Sequence, residues 1–239
     1  MRMIGIIGGM SEQATTLYYA HLNERTRLQF GGLRQAPCII WSVDFQEILD
    51  LAQQGRWDKI AGILGNAGKK LEAAGAEVLI IAANTMHKVA DEVQSMVSIP
   101  LLHIADVTAD AIKKAGFSHP GLLATRATIE QEFYLGRLRK QFGLNVIIPN
   151  EIDRAEVQHV IFDELCKGIV RSESKANYLR IISRLREQGA DSLILGCTEI
   201  GMLLAPEDVS LPMFNTAFLH ANAALDFAMA DQAEVSMVR

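Results

Sequence analysis

The chain is poor in the features that would place it in a specialised class. It has only three cysteines, Cys38, Cys166 and Cys197, odd in number and scattered. That excludes a disulfide framework and fits a reducing, cytoplasmic setting. No CxxC or HExxH spacing occurs, which leaves a structural or catalytic zinc with little support. Neither sign of charge dominates: 23 Lys and Arg face 28 Asp and Glu, a net charge of −5. No broad basic surface is therefore expected, and no nucleic-acid partner. The local basic group Arg137, Arg139 and Lys140 has helical spacing and reads as a solvated face. No apolar run approaches the roughly 18 residues of a membrane span. The opening MRMIGIIGGM is too short for a secretion leader and reads as a first β-strand.

What is present is an ordinary globular composition, 49% hydrophobic and 21% charged over 239 residues. Aliphatic runs without alternation recur at 3–7, 38–43, 78–82, 101–104, 121–124, 145–148 and 192–195. Such runs fit strands covered on both faces. Amphipathic stretches at 14–28, 57–74, 105–115, 129–142, 155–166, 174–188 and 216–229 separate them. The alternation predicts an α/β fold with mostly parallel sheets.

The chain also repeats itself. LEAAGAEVLIIAANTMH (71–87) and LREQGADSLILGCTEIG (185–201) align without a gap, at an offset of 114 from Ala83 to Cys197. IIGGMSEQATTLYY (6–19) sets Met10 against Thr125 of GLLATRATIEQEFY (121–134), an offset of 115. Two similar α/β halves follow: residues 1–99 with 207–239, and residues 100–206. The segment 209–214 and the last helix are expected to cross back to the first half.

In open α/β sheets, ligands bind beyond the carboxyl ends of strands. Four such ends stand out: Gly8-Gly9-Met10-Ser11, Ala83-Asn84-Thr85, Thr125-Arg126-Ala127-Thr128 and Cys197-Thr198-Glu199. The first is either an anion-holding turn or a plain strand-to-helix turn. A dinucleotide fold is disfavoured. GIIGGM is not G-x-G-x-x-G, and the candidate ribose acid Asp44 lies 35 residues past Gly9, against about 20 expected. Asn84-Thr85 and Thr198-Glu199 occupy matching places, which favours binding over simple helix capping. Cys197 stands at a strand end before polar residues, where a helix N-terminus would lower the thiol pKa. Cys38 and Cys166 fit core packing, one in a strand and one in an amphipathic helix. His87, His103, Asp106 and Arg126 stay open between acid–base or carboxylate-binding roles and structural ones.

Together GGMSEQATTLYY, AANTMHKVAD, LLATRATIEQEFY and LGCTEIGMLL resemble the aspartate/glutamate racemase family, the cofactor-independent amino-acid racemases. The motifs span nearly the whole chain in the family's order. The resemblance implies two pseudosymmetric α/β domains with the active site in the cleft between them. It also implies a homodimer, an acidic amino acid as substrate, and no pyridoxal phosphate or metal. Two cysteines would flank Cα, one removing the α-proton and the other returning a proton on the opposite face. By position Cys197 is the second of them. Thr198 and Glu199 belong to the substrate loop; Met10, Ser11, Asn84 and Thr85 help hold a carboxylate; Thr125 and Thr128 line the same site.

The departures are specific. Ala83 stands where the first cysteine is expected. Ala52 replaces a glutamine, with Gln53 next in line, and Ala124 replaces a usual glycine. An alanine methyl neither accepts nor donates a proton, so the expectation is an impaired or one-sided racemase. L-substrate would be deprotonated and reprotonated on the same face by Cys197. The alternatives are a single-cysteine decarboxylase of the related family and a non-catalytic binder of acidic amino acids.

Overall fold

The computed structural model describes residues 1–230. In chain order it runs β1 (Ile4–Gly8), α1 (Glu12–Phe30), β2 (Cys38–Ser42), α2 (Phe45–Gln53), α3 (Trp57–Ala73) and β3 (Val78–Ile81). A 3₁₀ turn (Thr85–Val89) leads into α4 (Ala90–Ser95), α5 (Ile104–Lys114), β4 (Pro120–Ala124), α6 (Arg126–Glu130) and α7 (Glu132–Phe142). Next come α8 (Glu151–Asp163), a 3₁₀ turn (Leu165–Lys167), α9 (Ser172–Glu187) and β5 (Ser192–Gly196). The last elements are α10 (Ile200–Leu203), β6 (Met213–Asn215) and α11 (Thr216–Met229). No described helix is long and apolar enough to cross a membrane.

Two compact units result. One holds Met1–Ala82, Val89–His103 and the chain from His220; the other holds Ala83–Lys88 and Ile104–Leu219. Each contains a three-stranded parallel sheet, ordered β2-β1-β3 and β4-β5-β6. The sheets obey the repeat closely. Ile4 pairs with Val78 in the first and Pro120 with Ser192 in the second. Leu79 bridges Leu101 just as Leu193 pairs with Met213; Gly5 pairs with Ile39 just as Gly121 bridges Ile147. Each unit is thus a layer four positions wide in the same order, one outer position reduced to a single bridge.

The central strands read as unbroken apolar runs because helices cover both of their faces. In the second unit Leu122, Ala124 and Ile194 pack with α5 and α7. Leu123, Leu193, Leu195 and Cys197 pack with α8 and α9. That alternation is the strand period of two, and it aims Cys197 at the α8–α9 side. Close packing also constrains a matched pair of glycines, one from each sheet. A Cβ at Gly5 would meet Leu79 Cδ2 at 2.7 Å and Ala76 Cβ at 2.9 Å. A Cβ at Gly121 would meet Leu193 Cδ2 at 3.1 Å, Leu185 Cδ1 at 3.2 Å and Ala190 Cβ at 3.4 Å.

Several expectations need correction. Residues 101–104 and 145–148 are single bridges rather than strands. The helix expected at 129–142 breaks at Gln131, whose backbone is extended. That expected at 155–166 starts earlier, at Glu151, because Asn150 caps it by accepting from Asp153 N (3.0 Å). It ends at Asp163, so Cys166 lies in a 3₁₀ turn rather than a helix. Residues 207–219 belong with the second half, not the first: β6 is the parallel neighbour of β5, and the return comes at His220. The physical reason is the repeat, since β6 fills the place beside β5 that Leu101 fills beside β3. Helix α2 had no counterpart in the reading. Its start is set by Asp44 Oδ1, which accepts from Gln46 N (2.9 Å) and Glu47 N (3.2 Å).

Candidate active site

Eight of the ten residues singled out in the sequence fall in the second unit: Ala83, Asn84, Thr85, Thr125, Thr128, Cys197, Thr198 and Glu199. Met10 and Ser11 belong to the first, at the carboxyl end of β1, both buried. Gly9 there has φ +88°, and a Cβ would run into Val43 O and Ser42 Oγ, so only glycine fits the turn. Ser11 caps α1, its Oγ accepting from Ala14 N at 3.2 Å.

Cys197 follows β5 directly and is 8% exposed. Its Sγ donates to Oε2 of Glu199 at 3.0 Å, and Thr198 Oγ1 donates to the same oxygen at 2.5 Å. Glu199 is 2% exposed, and a carboxylate this deep is sustained only by donors of this kind. A third donor was absent from the sequence reading. The Cys166 thiol reaches Oε1 of Glu199 at 3.5 Å. Nothing local in the sequence marks Cys166, because the contact is made across 33 residues.

The expected low pKa of Cys197 is overturned. Burial pushes the thiol well above its ordinary value, and the Glu199 carboxylate adds to the shift. The helix meant to lower it, α10, is four residues long. A single turn carries little of a helix dipole. At rest Cys197 is a protonated thiol facing a carboxylate.

The matching strand end in the repeat carries Ala83, 7% exposed, whose carbonyl accepts from His87 Nδ1 at 2.8 Å. A carbonyl can only accept, so that nitrogen bears the proton. His87 is thereby tied into the turn that follows β3. Beside it Asn84, 4% exposed, donates from Nδ2 to Thr216 Oγ1 at 2.9 Å, and Thr216 donates to Leu195 O at 2.8 Å. The Thr216 proton is spent on the carbonyl, which fixes the orientation of the Asn84 amide. Asn84 Oδ1 is left buried with no hydrogen-bond partner among the described residues. Such an orphan costs about 1–3 kcal/mol and points to a missing donor.

Three hydroxyls close a triangle nearby. Thr85 Oγ1 lies 2.9 Å from Thr125 Oγ1 and 3.1 Å from Thr128 Oγ1, and the last two are 3.1 Å apart. Three O–H groups can satisfy one another in a ring, and any of them can turn its proton toward an anion. Thr125 also caps α6. The site thus offers one thiol–carboxylate pair, one orphan amide oxygen and three convertible hydroxyls.

Asp106 and Arg126, left open in the sequence, are held in ion pairs. Asp106 accepts from Arg137, with Nη2 on Oδ2 at 2.7 Å, so Arg137 is no freely solvated charge. Arg126 pairs with Glu130 at 3.1 Å on the surface. Gln53 ends α2 and is exposed. Cys38 is a half-buried residue of β2, as packing predicts. Among the described residues no group of three His, Cys, Asp or Glu is placed to hold a metal ion.

The fold has counterparts among known proteins. A candidate Asp/Glu racemase from Yersinia pestis superposes with a TM-score of 0.89 at 46% identity, covering 96% of this chain and all of the other. An aspartate racemase homologue from Pyrococcus horikoshii OT3 gives a TM-score of 0.85 at 36% identity, with coverage of 96% and 100%. The broad specificity amino-acid racemase RacX of Bacillus subtilis (strain 168) is 23% identical over 240 residues, covering 96% of this chain and 100% of its own. Residues 7–224 match the profile described as Asp/Glu/Hydantoin racemase. The chain belongs to the Asp/Glu/Hydantoin racemase family.

Proposed function

We propose that the protein is a cofactor-independent amino-acid racemase of the aspartate/glutamate type, impaired or one-sided as it stands, with Cys197 as its remaining acid–base residue. The observation that carries this reading is the Cys197–Glu199 pair at the end of β5, with Ala83 at the repeated position after β3. The α-proton of an amino acid is a weak acid, so the base must be strong and the resulting carbanion stabilised. Cys197 becomes a base when its proton passes to Glu199 Oε2. The S–H bond breaks, an O–H bond forms, and the negative charge moves from carboxylate to sulfur. The thiolate then takes the α-proton, and the electron pair enters the substrate carboxylate. Asn84 Oδ1 is the acceptor for the substrate ammonium, and the Thr85, Thr125 and Thr128 hydroxyls are the donors for its carboxylate.

Ala83 offers no proton to the opposite face. The expected outcome in deuterated water is therefore loss of the α-proton signal of L-substrate with little D-product, followed by proton NMR and chiral analysis. Ala83→Cys should add D-product. Absence of exchange with all four aspartate and glutamate enantiomers, in both forms, would overturn the reading. One thiol also suits a decarboxylase that protonates an enolate; carbon dioxide released from a substituted malonate would favour that instead. The assembly proposed is a homodimer, and a monomeric mass by light scattering would contradict it.

A further inference from the structure

Cys166 has no place in the chemistry above, yet its sulfur contacts the carboxylate that the chemistry needs. Glu199 is held at both oxygens. Cys197 and Thr198 donate to Oε2, and Cys166, from the 3₁₀ turn after α8, donates to Oε1. We propose that Cys166 is a positioning residue for Glu199: its thiol keeps Oε2 turned to Cys197 and limits how readily the carboxylate takes the Cys197 proton. The inference rests on Cys197 and Glu199 acting as the acid–base pair.

The physical argument is linkage through one shared group. A hydrogen bond to the charged form of a carboxylate makes it a weaker base. The pair holds a single proton in two arrangements, thiol with carboxylate or thiolate with carboxylic acid. Both arrangements carry the same net charge, so their ratio does not change with pH while the pair keeps that proton. Removing the Oε1 donor makes Glu199 more basic and raises the thiolate share. Cys166 remains a donor across neutral pH, because burial and the Glu199 carboxylate push its own thiol well up. The other ionisable neighbours are Lys167 beside Cys166, Tyr178 on α9, and Glu156 and Glu164 within electrostatic reach of Tyr178. Tyr178 is itself pushed well up by burial and stays neutral, and its hydroxyl donates to Val157 O at 3.1 Å.

The test reads Cys197 directly and needs no substrate. Cys197 alkylation by iodoacetamide is followed by peptide mass mapping at low conversion, from about pH 6 to about pH 9.5, a window spanning the ordinary thiol range. The unmodified protein is compared with Cys166→Ala, Cys166→Val, Cys166→Ser and Glu199→Gln. Valine keeps bulk without a donor; serine keeps a donor. The expected result at neutral pH is an alkylation rate raised about three- to ten-fold in the Ala and Val variants and near the unmodified value in Ser. Glu199→Gln, which removes the acceptor together with the charge that raises the thiol, should gain the full tenfold per pH unit of an isolated thiol, and Cys166→Ala should have no further effect in that background. Equal rates in Ala, Val and the unmodified protein overturn the proposal. So does Val matching the unmodified protein while Ala differs, because Cys166 then only fills space. A pH profile in Glu199→Gln no steeper than in the unmodified protein shows that the carboxylate does not take the thiol proton. It overturns the acid–base pair itself, and that failure is distinct from failure of the Cys166 role alone.

Discussion

The two units are built on one plan and differ where strands end. Leu71, Ala76 and Leu79 surround Gly5, and their repeats Leu185, Ala190 and Leu193 surround Gly121. Tyr18 and Tyr134 are both fully buried, beside His220 and Thr108 respectively. Beyond β3 the chain has an alanine; beyond β5 it has a thiol, a threonine and a buried glutamate. The shared positions hold the layers together, and packing constrains them equally in both copies. The strand ends are buried as well, but the polar groups there pair mainly with one another, so they can diverge while the layers keep their plan.

The comparison breaks most visibly at the two strand ends. Cys197→Ala should reduce α-proton exchange by about a thousandfold or more, the upper part of the usual range for a general acid–base group. Ala83→Cys should leave exchange of L-substrate in place and add racemisation, so the two changes act on different observables. If Cys197→Ala exchanges at the original rate, the asymmetry has been assigned to the wrong residue.

The glycines should be unequal too, since contacts near 2.7 Å at Gly5 leave less room than those near 3.1 Å at Gly121. Gly5→Ala is expected to cost about 2–3 kcal/mol and Gly121→Ala about 1 kcal/mol, within the range for overpacking. Urea unfolding measures both, and equal costs would mean that the first sheet yields as readily as the second.

The buried thiols predict a pH effect of smaller size. Cys197, Cys166 and Cys38 are all raised, chiefly by burial. The folded protein keeps protons that the unfolded chain releases above about pH 8.5. Their contribution to stability is whole below that pH and declines as pH rises toward the folded values. A melting temperature that falls between about pH 8 and pH 10, and falls less steeply in Cys197→Ser and Cys166→Ser, is the expected signature.

The smallest contrast is between the tyrosines. Tyr18 Oη lies 2.9 Å from His220 Nδ1, whose Nε2 contacts Leu102 O at 2.8 Å. Tyr134 Oη has no well-aligned partner among the described residues, and Thr108 beside it spends its proton on Ile104 O. Tyr18→Phe should cost about 1–1.5 kcal/mol and Tyr134→Phe less than about 0.5 kcal/mol. Calorimetry decides; the reverse order would show that the second hydroxyl matters more.

Much of this was legible in the residues. Unbroken aliphatic runs announced buried parallel strands, and the repeat announced two like units, because covered strands and glycine turns restrict which residues can stand there. The repeat also located the asymmetry at Ala83 and Cys197. The extent of the edge strands was not legible: 101–104 and 145–148 read as strands but pair only at Leu101 and Ile147, and β6 carries too few residues to show a period, so only pairing defines them. The direction of the Cys197 shift was missed for a related reason. Proximity to a helix start is readable in sequence, whereas burial against α8 and α9 is not.

The sequence by itself determined the alternation of strand and helix, the doubled plan and the residue types at each strand end, because these follow from periodicity and backbone sterics along the chain. Only the tertiary structure decided that Cys166 meets Glu199, that Asn84 is tied to Thr216 and left with an unpaired oxygen, and that Cys197 rests as a thiol. Those facts depend on distances between groups 33 to 132 residues apart and on the loss of water around them. Neither quantity is a property of any stretch of the chain taken alone.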